Sequence, residues 1–243
     1  MVHVVGGFCA LAAAQAVGSR SNLSKSGLTG GYSLTLAILG TFLLWFGWWG
    51  FNGGSGLSID GKLPRIILVT NVGAVTGGLT AAVYSRVTLG RIEVIPLITG
   101  VIAGLVSVTA ACHVLSSSQA MLAGVVGAIL ALFSMKLLQK VGIDDAVGAF
   151  PVHGVAGVWS VVAFGLFAPE SELLAGSRFD QIKVQAIGAI AAGALSYISV
   201  RSAMSFLKLF APIRVTAEEE KAGLNVVEHG ATNAVTDLSL IHI

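Results

Sequence analysis

The chain has 243 residues, of which 55% are hydrophobic and only 11% are charged, and its mean hydropathy is +0.87. A soluble globular domain carries about 25% charged residues because its surface is wet, so most of this surface faces something other than water. The net charge of +2 is too small to indicate a nucleic-acid partner, and no phosphate loop, Ser/His/Asp order or CxxC pattern favours an enzyme. The two cysteines, Cys9 and Cys112, lack metal-ligand spacing, so we expect no metal or other cofactor.

Charged residues divide the chain into uncharged runs close to the ~20 residues that cross a bilayer as a helix. One longer run, 94–135, has a polar middle at His113–Gln119 and is split there into two spans. Run length and the lack of period-2 alternation favour helices over barrel strands. The sequence therefore predicts an all-α, polytopic membrane protein with about seven transmembrane helices, A to G. Their predicted ranges are 1–19, 31–51, 66–85, 94–112, 120–135, 146–169 and 184–200.

Lysine and arginine in the loops predict the orientation of these helices. One side collects ten of them and the other only four, which are Lys62, Arg65, Arg178 and Lys183. Because cytoplasmic loops carry the excess of positive charge, the ten-residue side is predicted to be cytoplasmic. Helix A then starts outside, the C-terminus lies inside, and helices A and F run in opposite directions.

Helices A and F carry similar motifs, each with one histidine. Residues 2–7 read VHVVGG and residues 152–157 read VHGVAG. Gly7 and Gly157, each four residues beyond the histidine, are expected to give the two helices small faces that permit close approach. Inverted repeats with a site at their interface are a common transporter design, so His3 and His153 are predicted to meet within hydrogen-bond reach near the bilayer midplane. Ionisable residues in membrane spans are costly and usually mark a pathway. The alternatives are a structural hydrogen bond between helices and a bis-His haem or metal site.

Helix B ends in an aromatic stretch, FLLWFGWWGFNGGS, on the outer side. Trp48, Phe51 and Ser55 fall at i, i+3 and i+7, which is one stripe if the helix persists that far. Such a stripe can bind a cation, because aromatic faces attract it and a hydroxyl can accept a hydrogen bond from ammonium. For Trp45 and Trp49, an interfacial aromatic belt is the favoured interpretation.

Several polar features lie on the cytoplasmic side. Asp144 and Asp145 precede helix F and are interpreted as structural helix caps. Residues 1–210 form the predicted membrane domain, and residues 211–237 form a cytoplasmic tail that is expected to fold against the loops. The last six residues, 238–243, read LSLIHI after a polar segment and are expected to be a non-native tail. Since Met1 leads directly into apolar sequence, we also expect the chain to be truncated upstream.

Three segments resemble signature segments of the Amt/Mep/Rh ammonium transporters: GTFLLWFGWWGFNGGS, GIDDAVGAFPVHGVAGVWS and VHVVGGFCALAAA. The tail RVTAEEEKAGLNVVEHG resembles that family's cytoplasmic C-terminal motif, and the similarity runs from Met1 to Gly230. The resemblance departs at Asn225, where an aspartate is usual, and at Ser117 or Ser118, where a proline is common. It implies an eleven-helix fold of two inverted halves plus a final helix, in which helices A to G resemble the fifth to the eleventh. It also implies a homotrimer with one pore per subunit, in the plasma (inner) membrane.

The resemblance assigns roles to individual residues of this chain. The second gate phenylalanine and the recruitment-site tryptophan of the family pattern belong upstream of Met1. By this resemblance, His3 and His153 match the twin histidines that line the pore, and Phe51 matches a phenylalanine of the outer gate. Ser55 matches the hydroxyl of the recruitment site, and Trp48 matches the pore-facing tryptophan nearby. Thr109 matches a pore-adjacent threonine.

Together these features predict transport of ammonium or ammonia. The outer aromatic and hydroxyl site binds the cation, which gives up its proton because a bare charge in hydrocarbon is too expensive. Ammonia then passes two imidazoles that share at most one proton. The resemblance implies a PII-type regulator at the tail. The alternatives are an ammonium sensor, an Rh-type gas channel, or a fragment that does not transport by itself.

Overall fold

A computed structural model describes residues 1–21, 33–57 and 59–230. Within these ranges all regular structure is helical, which confirms the predicted all-α architecture. Residues 238–243 and their predicted non-native character lie outside the described part. The elements are α1 (Val2–Val17), α2 (Leu34–Gly54), α3 (Leu63–Leu89), α4 (Val94–Thr109), α5 (Ser117–Lys140), a π-helix (Phe150–Val155) continued by α6 (Ala156–Phe167), a 3₁₀ turn (Glu170–Glu172), α7 (Arg178–Leu207), α8 (Ala217–Ala222) and α9 (Leu224–Val227).

Each of the seven predicted spans corresponds to one of these helices. Five of them are long and apolar enough to cross a membrane: α2, α3, α5, the π-helix joined to α6, and α7. The other two, α1 and α4, are apolar but have 16 residues each. At ~1.5 Å per residue these two extend over ~24 Å, a little less than the ~30 Å hydrocarbon core.

Several predicted boundaries were wrong by a few residues. Helix α2 continues past Phe51 to Gly54, and the fourth span ends at Thr109 instead of reaching residue 112. Helix α5 starts inside the predicted polar break, because the Ser116 side chain caps Gln119 N–H while the Gln119 side chain accepts from Ser116 N–H. The last span extends beyond its apolar run to Arg178 and Leu207, since charged side chains at helix ends remain compatible with the helix.

The sixth predicted span begins later than expected and begins as a π-helix. Its regular structure starts at Phe150 and not at residue 146. The preceding loop contains Gly148 at φ +68°, a left-handed conformation that ends any helix running through it. This loop carries Asp144 and Asp145 up to the first turn of the helix.

Helices α3, α4 and α5 form a tightly packed layer behind the site. A Cβ atom added to Gly77 of α3 would lie 2.9 Å from the Cα of Gly104 in α4, so only glycine permits this approach. Small side chains dominate the adjoining core, which also includes Trp48 and Val152. This layer therefore provides the wall against which the site residues of α2 and the π-helix pack.

The two predicted sides of the molecule correspond to two ends of the helix bundle. At one end, Arg20 pairs with Asp144 at 2.7 Å, and Lys208 Nζ donates to Ala16 O at 2.8 Å. At the other end, Arg65 donates to Leu115 O and Arg178 donates to Ala168 O, each at 3.0 Å. Basic residues that the charge count placed on one side thus lie at one end.

The tail folds back onto the first of these ends. Arg214 donates to Val17 O and pairs with Glu220, whose carboxylate accepts from Ser21 N–H at 2.7 Å. Thr216 and Glu219 form a capping box that starts α8. The tail was expected to fold against the loops, and its contacts with Val17 and Ser21 agree with this for residues 214–220.

Candidate functional site

Helix α1 crosses the π-helix and α6 in antiparallel orientation at paired glycines. Gly7 faces the backbone of Gly154, and a Cβ added to Gly157 would lie 3.2 Å from Val4 N and 3.3 Å from His3 Cβ. The sequence pointed to Gly7 and Gly157 as small faces that permit close approach, and the structure confirms this for both. The crossing brings the two histidine-bearing motifs together.

His3 and His153 face each other across this crossing. Their Nδ1 atoms are 3.2 Å apart, and the rings are stacked with centroids 5.2 Å apart and planes 16° apart. The predicted approach of two residues 150 positions apart is therefore confirmed. Because one Nδ1 must donate and the other accept, only one of these two nitrogens carries a proton. His3 Nε2 is buried and has no hydrogen-bond partner among the described residues, so one ring nitrogen remains available to a polar guest.

Trp48 and Phe51 extend the stack away from the histidine pair. Trp48 lies parallel to the His3 ring with centroids 5.1 Å apart, and Phe51 is tilted against His3 at 5.4 Å. Trp48 is only 6% exposed, whereas Phe51 is 42% exposed. The aromatic column thus leads from the exposed ring of Phe51 to a half-buried imidazole pair.

Thr109 reaches this column through Trp48. Its Oγ1 accepts from Trp48 Nε1 at 2.9 Å and donates to Leu105 O at 2.8 Å. The next amide, Ala110 N–H, donates to Ser160 Oγ at 3.1 Å. Ser160 holds the end of α4 from the helix that follows His153, and sequence inspection missed it because a serine in an apolar helix carries no distinctive spacing.

Ser55 lies at the C-terminal cap of α2, one turn beyond Phe51. It is exposed, and its hydroxyl donates to Phe51 O at 2.6 Å. The helix persists far enough to keep Trp48, Phe51 and Ser55 on one stripe. With its proton committed to the backbone, the Ser55 oxygen can accept a hydrogen bond from an incoming cation.

The two adjacent aspartates have different partners, which corrects the prediction that both are caps. Asp145 is a cap, since its two carboxylate oxygens accept from Ala149 N–H at 2.9 Å and Phe150 N–H at 2.7 Å. Asp144 instead binds the guanidinium and the backbone N–H of Arg20. Hydrogen bonding from Arg20 lowers the pKa of the Asp144 carboxyl below its ordinary value. The two aspartates differ because Arg20, just beyond the end of α1, occupies the Asp144 carboxylate, so only Asp145 binds the amides at the start of the π-helix.

Trp45 and Trp49 form hydrogen bonds within the protein, in addition to any contact with the membrane interface. Both indole N–H groups donate to Asn71 Oδ1 of α3, at 2.8 Å and 3.0 Å. On the neighbouring turn, the buried Asn52 donates to Thr70 Oγ1 at 2.9 Å. These bonds fix α2 on α3, and neither asparagine was singled out from the sequence.

The histidine pair has no further metal-ligating neighbours in the described ranges, where no group of three or more His, Cys, Asp or Glu side chains gathers. His113 is exposed in the turn between α4 and α5 and stacks on Phe164 at 6.1 Å, as a loop histidine does. The arrangement offers neutral donors, acceptors and aromatic faces in a line.

Known proteins resemble this chain in sequence and in fold. A family model described as Ammonium Transporter Family matches residues 1–234. The putative ammonium transporter sll1017 of Synechocystis sp. is 35% identical over 98% of this chain and 55% of its own length. A solved structure described as a sensor Amt protein has a TM-score of 0.89 at 41% identity, covering 93% of this chain and 58% of that one. Candida albicans Mep2 has a TM-score of 0.79 at 29% identity, covering 90% and 51%. The chain spans about half the length of the curated relatives it matches.

Proposed function

Because this chain belongs to the ammonium transporter family, a family of polytopic helical membrane proteins, we propose that it carries the conducting histidine pair of a pore for ammonium or ammonia. The observation that carries the proposal is the contact between His3 and His153, whose Nδ1 atoms lie 3.2 Å apart among apolar helices. A stacked imidazole pair offers one donor and one acceptor without a full charge, which suits the passage of neutral ammonia.

The aromatic column provides the outer entrance in this proposal. The exposed ring of Phe51 and the oxygen of Ser55 bind the ammonium cation, by cation–π attraction and by accepting an N–H hydrogen bond. Below Phe51 the cation would lose its water among apolar groups at a high cost, so it transfers its proton to solvent water at the exposed Phe51 ring and enters as ammonia. Ammonia then moves along Trp48 and the two imidazoles.

Orientation and assembly complete the proposal. The end of the bundle that carries Arg20, Lys208 and the tail is cytoplasmic, because it collects the larger number of basic residues. The protein acts in the plasma membrane as a homotrimer with one pore per subunit, as the resemblance of its signature segments implies.

The tail is the proposed site of regulation. Arg214 and Glu220 attach it to the end of α1, the helix that carries His3. A PII-type regulator that binds the tail would act on α1 through these contacts. Deletion of residues 218–230 from the full-length gene product should depress ammonium uptake, and uptake equal to that of the parent would contradict a regulatory tail.

The role of the histidine pair is tested by substituting His153, and the same substitution at another histidine of the protein serves as the matched control. In proteoliposomes containing the full-length gene product, His153→Leu should lower the ammonium transport rate about tenfold or more, the effect of ~1.4 kcal/mol on a barrier. The control His113→Leu removes a histidine from the outer turn and should transport like the parent. A His153→Leu variant with the parent's rate would exclude the proposed role of the pair.

The outer site has its own test. Ser55→Leu should weaken capture at limiting ammonium and leave the maximal rate unchanged, because the pore below is not altered. Equal uptake by this variant and the parent at limiting ammonium would leave only a packing role for the stripe.

An ammonium sensor is the second candidate, favoured by the similarity at 41% identity to a protein described as a sensor Amt protein. A sensor would bind ammonium without conducting it. Quenching of Trp48 fluorescence by ammonium in a protein that shows no flux in proteoliposomes would favour the sensor over the transporter.

A further inference from the structure

The backbone around His153 has an uncommon form. His153 lies in a six-residue π-helix, Phe150–Val155, that joins directly onto α6. The π-helix is wider than the α-helix, occurs mostly as single turns, and is frequent at functional sites. Because each π residue turns the chain by a smaller angle, the direction of the His153 ring depends on where the π-helix begins.

Asp145 binds the backbone at this starting point. Its Oδ1 accepts from Ala149 N–H at 2.9 Å, its Oδ2 accepts from Phe150 N–H at 2.7 Å, and its backbone oxygen accepts from Gly148 N–H at 3.2 Å. These three bonds join Asp145 to the end of the loop and to the first residue of the π-helix. The next residue, Pro151, has no N–H to donate, so Asp145 binds the last two amides before the proline. The loop contacts the π-helix once more beyond the proline, where Val152 N–H donates to Gly148 O at 3.1 Å.

A shift of Phe150 would reach His153 through space as well as along the chain. The Phe150 ring lies across Gly154, where an added Cβ would be 2.6 Å from Phe150 Cδ2. The same ring makes an edge contact with Phe8 of α1, with centroids 5.2 Å apart and planes 89° apart. Phe150 is thus wedged between the helix that carries His3 and the residue that follows His153.

We propose that Asp145 is a positioning residue for His153. By bonding two consecutive amides at the start of the π-helix, it sets the contact between the two imidazoles without touching either ring. Its neighbour Asp144 is committed to Arg20 at the end of α1, so the two carboxylates hold the two histidine-bearing segments separately. The consequence for transport rests on the proposed function, whereas the consequence for ring geometry does not.

The ring geometry is tested by nitrogen NMR on the 243-residue chain, labelled with ¹⁵N-histidine in lipid nanodiscs. Asp145→Asn keeps the size of the side chain but replaces one acceptor oxygen by an NH₂ group that faces a backbone N–H. We expect the ring ¹⁵N signals of His3 and His153 to shift and that of His113 to stay. The control Asp180→Asn alters a carboxylate at the start of α7, at the other end of the bundle, and should shift none of the three.

A second variant separates positioning from general destabilisation. The hydroxyl of Asp145→Ser can still accept from one amide, so its shifts should be smaller than those of Asp145→Ala. Unchanged His3 and His153 signals in a folded Asp145→Asn variant would overturn the proposal. A shift of His113 as large as that of His153 would overturn it too, since it would indicate a global change.

Transport by the full-length gene product gives the functional readout. Asp145→Asn should lower the maximal rate about 2- to 10-fold, the range expected for one lost hydrogen bond, with an unchanged KM because the outer site is not altered. The pH profile of the maximal rate should also change, because the imidazoles share a proton. If the parent shows no flux but the ring signals respond to Asp145→Asn, the proposed function fails and the positioning role stands. If the parent transports and neither rate nor signals respond, the positioning role fails alone.

Discussion

Two adjacent glycines of α1 lead to opposite expectations for the same substitution. A Cβ atom added to Gly6 would meet no heavy atom of the described part of the chain within 4 Å. A Cβ added to Gly7 would lie 2.8 Å from the carbonyl carbon of His153 and also against the backbone of Gly154. Backbone atoms cannot rotate aside, so Gly7→Ala has to separate α1 from the π-helix.

The size of this separation decides the fate of the histidine contact. Carbon atoms pack favourably from about 3.5 Å, so relief of the His153 contact alone moves the helices apart by ~0.7 Å, and the closer Gly154 backbone atoms require at least as much. Directed along the line between the rings, this would lengthen the 3.2 Å Nδ1–Nδ1 distance to about 3.9 Å, which no longer allows a hydrogen bond. Overpacking of this kind costs about 1–3 kcal/mol. The gain in helix propensity, ~1 kcal/mol for glycine to alanine, is shared by Gly6→Ala and cancels between the two variants.

Thermal unfolding and histidine NMR measure the two consequences. Gly7→Ala should melt about 2–12 °C below Gly6→Ala, at roughly 2–4 °C per kcal/mol for a chain of this size. The ring ¹⁵N signals of His3 and His153 should change in Gly7→Ala and stay as in the parent in Gly6→Ala. Equal melting temperatures and equal ring signals in the two variants would refute the view that this crossing sets the imidazole contact.

Other bonds of the site lead to further expectations. Trp48→Phe keeps a ring beside His3 but loses the bond to Thr109, so it should cost about 0.5–1.5 kcal/mol by thermal unfolding, and adding Thr109→Val should cost little more because both changes remove the same bond. Asn71→Leu removes the acceptor shared by two indoles and should alter the tryptophan emission spectrum; an unchanged spectrum would contradict the shared acceptor. The lowered pKa of Asp144 means that its stabilising pair with Arg20 is complete above the ordinary value of about 3.9 and is lost as the pH falls through the lowered folded value. The melting temperature should therefore fall below about pH 4 in the parent, and less steeply in Asp144→Asn; an equal fall in both proteins would exclude this pair as a cause.

Local features of the sequence were sufficient to predict the helices and the contact between the two histidines. Charged residues interrupt the apolar runs, and a run of about 20 uncharged residues has few alternatives to a helix in lipid. The loop charges then fixed the opposite directions of helices A and F, and the matching motifs placed His3 opposite His153. Small residues at Gly7 and Gly157 indicated that the two helices approach closely, because a glycine face is visible without knowledge of the partner.

The tertiary structure alone decided how these residues are held. The pattern DDAVGAFPVH reads as a capped α-helix, because a spacing rule cannot distinguish an i→i+5 turn from an i→i+4 turn. Asp144 and Asp145 are adjacent and chemically identical in the sequence. Their roles differ only because Arg20, which lies 124 positions before Asp144, binds the Asp144 carboxylate. The bond of Trp48 to Thr109 likewise joins residues 61 positions apart on different helices. A polar side chain in an apolar helix must find a partner, but which partner it finds depends on the packing of helices that the local sequence does not encode.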